Sequence, residues 1–145
     1  MKARPKVGTT GEERFVVGPE HVIDFSTDGM PAVLCTPWLI WFLEHAARRA
    51  VLPLLDASES TVGTHIEVRH LAPTPLGQAV TCRARIIHAE GAVVSFQLEA
   101  HDEREPIAKG SHRLQVIRVD RFAQKVHNKS VAGATARAGS PRSAH

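Results

Sequence analysis

The sequence predicts an α+β protein in which an antiparallel sheet packs its apolar face on a single buried helix. Three observations carry that expectation. The segment from Thr36 to about Leu52 is apolar over most of a helical wheel, the pattern of a deeply embedded helix. From Thr61 onward the hydrophobic period changes from 3.6 to 2 and holds through four runs at hairpin spacing. The chain has 145 residues, 43% hydrophobic and 23% charged, which fits one globular domain and leaves no room for two.

The elements follow in chain order. The first dozen residues, with Gly8 and Gly11, read as an irregular arm. Glu13 to Val17 and His21 to Phe25 read as short strand-like pieces around Gly18-Pro19, and Ser26 to Pro31 reads as a loop. Thr36 is expected as the N-cap of the helix, with Pro37 at the first helical position, where its missing N–H costs nothing. Pro53 stops that helix. Leu39, Ile40, Phe42, Leu43, Ala46, Ala47, Ala50 and Val51 form its apolar arc; Trp38, Trp41, His45, Arg48 and Arg49 form the other, and Glu44 stands at the border. In the first long strand Val62, Thr64, Ile66, Val68 and His70 share the apolar face, while Gly63, His65, Glu67 and Arg69 share the other. Pro73-Thr-Pro75-Leu-Gly77 turns the chain into a strand with Val80, Cys82, Ala84 and Ile86 on one face. Glu90-Gly91 leads to Val94, Phe96, Leu98 and Ala100, and the turn Asp102–Glu105 leads to a last strand from Ile107 through Val119, with His112, Leu114 and Val116 on one face. Residues 1–126 are expected as the folded domain and 127–145 as a disordered basic tail, rich in Ala, Gly and Ser without apolar periodicity.

Position decides what the charge means. The chain carries 18 Lys+Arg against 15 Asp+Glu, a net +3. Residues 1–126 hold 15 of each sign, and the excess is Lys129, Arg137 and Arg142 in the tail. A neutral body removes the electrostatic reason to expect nucleic acid, and the strands lack exposed aromatic stacking positions. The longest apolar run, Ala32 to Leu43, is too short to span a membrane. Two cysteines, Cys35 and Cys82, with no hydrophobic signal segment, predict a reducing, cytoplasmic setting and no disulfide scaffold. Nine histidines invite a metal, but no HExxH or CxxC spacing occurs and His65 and His70 fall on opposite strand faces, so no metal site is expected.

Three polar residues stand where chemistry is possible. Thr36 opens a helix whose first N–H groups and positive dipole end can receive a developing oxyanion; its bland reading is a plain N-cap. Glu44 sits beside Ile40, Ala47 and Val51, a setting used to tune a general base or nucleophile; its bland reading is an i,i+4 ion pair with Arg48. His70 is the one ionisable residue on the apolar face of its strand and can shuttle a proton; its bland reading is a satisfied core histidine. Gly63 marks either close backbone approach to a ligand or a simple bulge, and His112 faces inward toward the same region. Trp38, Trp41, Arg48 and Arg49 form either a basic-aromatic patch for adenine and phosphates or part of a dimer contact.

A buried helix within a curved antiparallel sheet is a hot-dog arrangement, and the residues resemble one family of that fold. The stretch Leu34-Cys-Thr36-Pro-Trp-Leu-Ile-Trp-Phe-Leu-Glu44-His-Ala46 resembles the central helix of the fluoroacetyl-CoA thioesterase-like family, which has a Thr and then a Glu eight residues on. Gly63-Thr-His-Ile-Glu-Val-Arg-His70 resembles its strand with a Gly seven residues before a His, and Gly110-Ser-His112 with Arg121-Phe-Ala-Gln-Lys-Val126 resembles its closing segments. The similarity covers roughly Val7 to Val126. It implies a dimer, with the site between subunits, that hydrolyses a short acyl-CoA thioester through Thr36, Glu44 and His70, with Gly63 and His112 lining the substrate site and no cofactor beyond the coenzyme A of the substrate.

Two departures bear on specificity. The loop before the Thr is rich in aromatics in the family and reads Met30-Pro-Ala-Val-Leu34 here. The family's closing His-Glu-Arg is His112-Arg113-Leu114 here, so an Arg near the site is lost or displaced and a different acyl group, larger or branched, is implied. Two rival readings share the fold: a hot-dog enoyl-CoA hydratase, whose inward Asp-His set is not evident, and a non-catalytic acyl-CoA binding module.

Overall fold

The computed structural model describes residues 1–139. Its elements are β1 (Thr10–Val16), α1 (Thr36–Val51), β2 (Glu59–His70), β3 (Ala79–Glu90), β4 (Val93–His101), β5 (Pro106–Arg118) and α2 (Val119–Gly139), with 3-10 turns at Pro19–His21, Ser26–Asp28 and Leu52–Leu54. The strands form one antiparallel sheet in the order β1-β3-β4-β5-β2. The β3–β4 and β4–β5 hairpins are sequence neighbours joined by Gly91 at φ 58° and by the Asp102 turn.

The helix lies on the sheet as its apolar arc dictates. Leu39, Leu43, Ala46, Ala47 and Val51 have 0% exposure and meet Val80, Cys82, Ala84 and Ile86 of β3 and Val94, Phe96 and Leu98 of β4 in one core. Burial, with Glu13 adding, pushes the Cys82 thiol up to about 12, so it packs as a small hydrophobe. The alanine ridge of α1 is flat enough for β1 to lie against helix backbone: a Cβ on Gly11 would collide with the Ala46 carbonyl oxygen and the Ala50 nitrogen. Phe15 of β1 stacks on Phe42 with centroids 3.6 Å apart, His21 packs edge-on against both, and Trp38 packs edge-on against His21.

The start of α1 is tied down from three sides. The Cys35 N–H donates to the His21 carbonyl at 2.8 Å and the Leu34 N–H to the Thr74 carbonyl at 2.9 Å. The Thr74 hydroxyl, fully buried, donates to Asp102 Oδ2 at 2.9 Å, and Asp102 Oδ1 accepts the Arg104 and Glu105 N–H groups. The turn after His70, the segment before Thr36 and the β4–β5 turn are thereby one hydrogen-bonded unit.

Four expectations change. Cys35, not Thr36, is the N-cap; Thr36 and Pro37 occupy the first two helical positions, and the Thr36 hydroxyl makes no cap bond. His21–Phe25 forms no strand, because Pro19–His21 winds into a 3-10 turn and Val22 makes only an isolated bridge with Leu34. A β-bulge between Gly63 and His65 inserts one residue and exchanges the strand faces, so Gly63 looks inward at Glu44 while Ile66 and Val68, beyond the bulge, also pack on the core. Past Val126, where no regular structure was expected, α2 continues to Gly139 on a run with good helix formers such as Ala132, Ala134, Ala136 and Ala138. The rest of the tail, residues 140–145, lies outside the described residues.

Candidate active site

Two polar clusters sit at different levels of α1. At its N-terminus Thr36 Oγ1 and His70 Nδ1 share a hydrogen bond of 2.9 Å. His70 is carried there by the last position of β2, just before the turn anchored by Asp102, and Thr36 is exposed to solvent. The His70 Nε2 atom is buried and lies within hydrogen-bond distance of no partner among the described residues. Burial pushes the His70 pKa below its ordinary value, the Ala72 carbonyl opposing, so the ring is held neutral and ready to exchange a proton. Among the first-turn backbone groups Pro37 has no N–H, which leaves those of Thr36 and Trp38 as the orphan donors at the positive end of the helix. A cleft of about 300 Å³ opens here, walled by Val33, Leu34, Leu71 and Pro73 beside the Thr–His pair.

The second cluster is centred on Glu44, two turns along the helix. Glu44 is half-buried and, among the described residues, makes no hydrogen bond or ion pair; the i,i+4 pair with Arg48 does not form. Its carboxylate faces Gly63 so closely that a Cβ there would stand 2.7 Å from Oε1 and 3.3 Å from His112 Cε1. This close approach is what the glycine permits. His112, 2% exposed, donates from Nδ1 to the His65 carbonyl at 2.8 Å. That bond fixes the neutral tautomer, since burial pushes the His112 pKa down while the His65 carbonyl and Glu44 oppose. Glu44, Gly63 and His112 border a cavity of about 170 Å³ together with His45, Arg48, Thr61 and Leu114.

The structure therefore brings Thr36 to His70, and Glu44 to Gly63 and His112, and keeps the two groups apart within one chain. Eight residues of helix separate Thr36 from Glu44, a rise of about 12 Å. Trp38 is drawn into the His21–Phe42 aromatic cluster, Arg49 pairs with Glu13, and Trp41 stacks on His45, whose Nδ1 donates to the Trp41 carbonyl at 2.7 Å. Sequence reasoning missed Thr61 as a lining residue because the bulge reverses its strand face. It also missed Asp102 and Thr74, a contact across 28 residues that no local pattern announces. Among the described residues no group of His, Cys, Asp and Glu is arranged to hold a metal, and no helix is long and apolar enough to cross a membrane.

A helix held in the curl of a five-stranded antiparallel sheet defines a protein of the hot-dog fold. The model of the family of fluoroacetyl-CoA-specific thioesterases, FlK, matches residues 4–120, and the chain belongs to this family. The fluoroacetyl-CoA thioesterase of Streptantibioticus cattleyicolor is 35% identical over 139 residues, covering 92% of this chain and all of the relative. The crystal structure of a threonine-to-serine variant of FlK in complex with acetyl-CoA superposes with a TM-score of 0.79 at 32% identity, over 86% of this chain and 98% of that one. A hot-dog-like protein from Thermanaerovibrio acidaminovorans shares the fold at a TM-score of 0.77 and 24% identity, over 85% and 91% of the two chains.

Proposed function

We propose that this protein hydrolyses a short-chain acyl-CoA thioester to the free acid and CoA, with Thr36, Glu44 and His70 as its catalytic residues and no cofactor beyond the substrate's own coenzyme A. The observation that carries the reading is the Thr36–His70 hydrogen bond at the positive end of α1. Thr36 and the orphan N–H groups steady the oxyanion as the thioester carbonyl is attacked. Glu44 either attacks that carbon or draws a proton from the water that does. The C–S bond then breaks: in the water route the proton taken by Glu44 passes through His70 to the departing thiolate, and in the attack route water hydrolyses the acyl-Glu44 anhydride, supplying that proton and freeing the acid and Glu44. Gly63 and His112 line the acyl side of the cavity, and two free thiols suit a reducing cytoplasm.

The reaction needs both clusters at one carbonyl, and a homodimer supplies that. β2 is a twelve-residue strand bonded to β5 on one side only, a long open edge of the kind that seeks a partner strand. Antiparallel pairing of two such edges sets the Gly63 end of one chain against the His70 end of the other. Glu44 of one subunit then faces Thr36 and His70 of the partner subunit across the seam.

Thiol release from a panel of short acyl-CoA esters tests the activity. The wild-type protein is expected to cleave at least one ester, and Glu44→Gln and His70→Ala each to lower kcat by roughly a hundredfold or more. Full rate in both variants, or no cleavage of any ester by the wild type, would refute the reading. An acyl-Glu44 anhydride trapped by rapid-quench mass spectrometry, or heavy oxygen from water entering Glu44 over many turnovers, marks attack by the carboxylate; the absence of both marks an activated water.

A further inference from the structure

The cavity beside Glu44 is chemically unusual for an acyl pocket. Leu114 is the one large apolar side chain on its wall, against the polar groups of His45, Arg48, Thr61 and His112. Arg48 is the telling member. It is half-buried and one helical turn from Glu44, in the geometry that ordinarily gives an ion pair, and among the described residues it makes neither an ion pair nor a hydrogen bond. Its neighbour Arg49 takes the nearby acid, Glu13. A partly desolvated guanidinium without a bonded counter-charge is a cost to the fold, and its planar fork matches a carboxylate in two parallel hydrogen bonds.

We propose that Arg48 reads an anionic end of the acyl group, so that the short acyl chain this site accepts carries a terminal carboxylate. The inference rests on the thioesterase reading above and names the substrate class of that same site. Scale selects the carboxylate over the phosphates of coenzyme A. Arg48 stands about 6 Å along the helix from Glu44, the span of a short acyl chain, whereas the phosphates lie a full pantetheine arm from the thioester carbonyl. The guanidinium on the same wall offsets the repulsion between a substrate carboxylate and Glu44. His45 and Arg48 also wall a neighbouring hollow of about 200 Å³, which leaves the anionic end room for water. Hydrolysis then yields a dicarboxylic acid and free CoA.

The test is steady-state thiol release from malonyl-, succinyl-, acetyl- and butyryl-CoA by the wild-type protein, Arg48→Met and Arg48→Lys. The wild type is expected to favour the carboxylated esters in kcat/KM. Arg48→Met should lower the ratio of carboxylated to neutral kcat/KM by roughly tenfold or more, chiefly through KM, as loss of a hydrogen-bonded charge predicts. Arg48→Lys, which keeps the charge and loses the fork, should retain part of the preference and so separates lost recognition from a damaged helix. A wild type that cleaves neutral esters as well as carboxylated ones, or an Arg48→Met variant that slows both classes equally, overturns the assignment of Arg48 and leaves the hydrolase reading standing. Cleavage of none of the esters overturns both.

Discussion

His112 is the most deeply buried ionisable side chain at the candidate site, and its surroundings fix the sign of a pH effect. Burial favours the neutral ring, so its folded pKa lies below the ordinary 6.5, and His70 is shifted in the same direction. Well above pH 6.5 both the folded and the unfolded chain carry neutral rings, and neither group makes stability depend on pH. As the pH falls below 6.5 the unfolded chain takes up protons first, so stability declines until the pH passes the folded values. The slope is at most about 1.4 kcal/mol per pH unit for each ring. Urea unfolding at pH 7.5 and 5.5 is expected to show this loss, and His112→Gln to make it smaller. An equal loss in the variant would mean that other groups carry the acid sensitivity. Gly63 acts at the same scale by a different route: its missing Cβ lets a helix carboxylate and a strand imidazole meet at one point of the sheet.

At the scale of elements, the fit of β1 on α1 turns on Gly11. An added methyl group has no free volume there, because it meets helix backbone instead of a yielding side chain. Gly11→Ala is expected to cost about 1–3 kcal/mol in urea unfolding, the range of core overpacking. A neutral result would show that β1 can slide off the alanine ridge at no cost. The elements themselves were largely legible. The helix announced itself by Pro37, its apolar arc and Pro53, and β3, β4 and β5 by strict alternation between Gly-containing or acidic turns. Single-residue offsets were not legible. The N-cap moved to Cys35 because the His21 carbonyl takes its N–H, which frees the Thr36 hydroxyl for His70. The bulge in β2 depends on pairing with β5, so no alternation count within β2 could find it. Thr36, Glu44 and His70 stood out as residues, but their separation into two clusters follows from the length of α1 and is visible only in three dimensions.

That separation becomes a statement about the whole molecule. If each working site joins Glu44 of one subunit to Thr36 and His70 of the partner subunit, inactivating substitutions on different chains must complement each other. In a mixed dimer of Glu44→Gln and His70→Ala, one site combines both substitutions. The other combines the intact Glu44 of the His70→Ala chain with the intact Thr36 and His70 of the Glu44→Gln chain. Random exchange of equal amounts makes half the dimers mixed, and each of those holds one intact site of two. The mixture should therefore recover about a quarter of the wild-type rate, given two equivalent sites related by a twofold axis. The variants are unfolded and refolded together in equal amounts, and thiol release is compared with that of each refolded alone. Light scattering during size-exclusion chromatography reports the dimer. A mixture no more active than its parents, with mixed dimers demonstrated by mass, would locate the complete site within one chain. It would require the Thr36–His70 pair and Glu44 to act on a carbonyl across the roughly 12 Å that α1 sets between them.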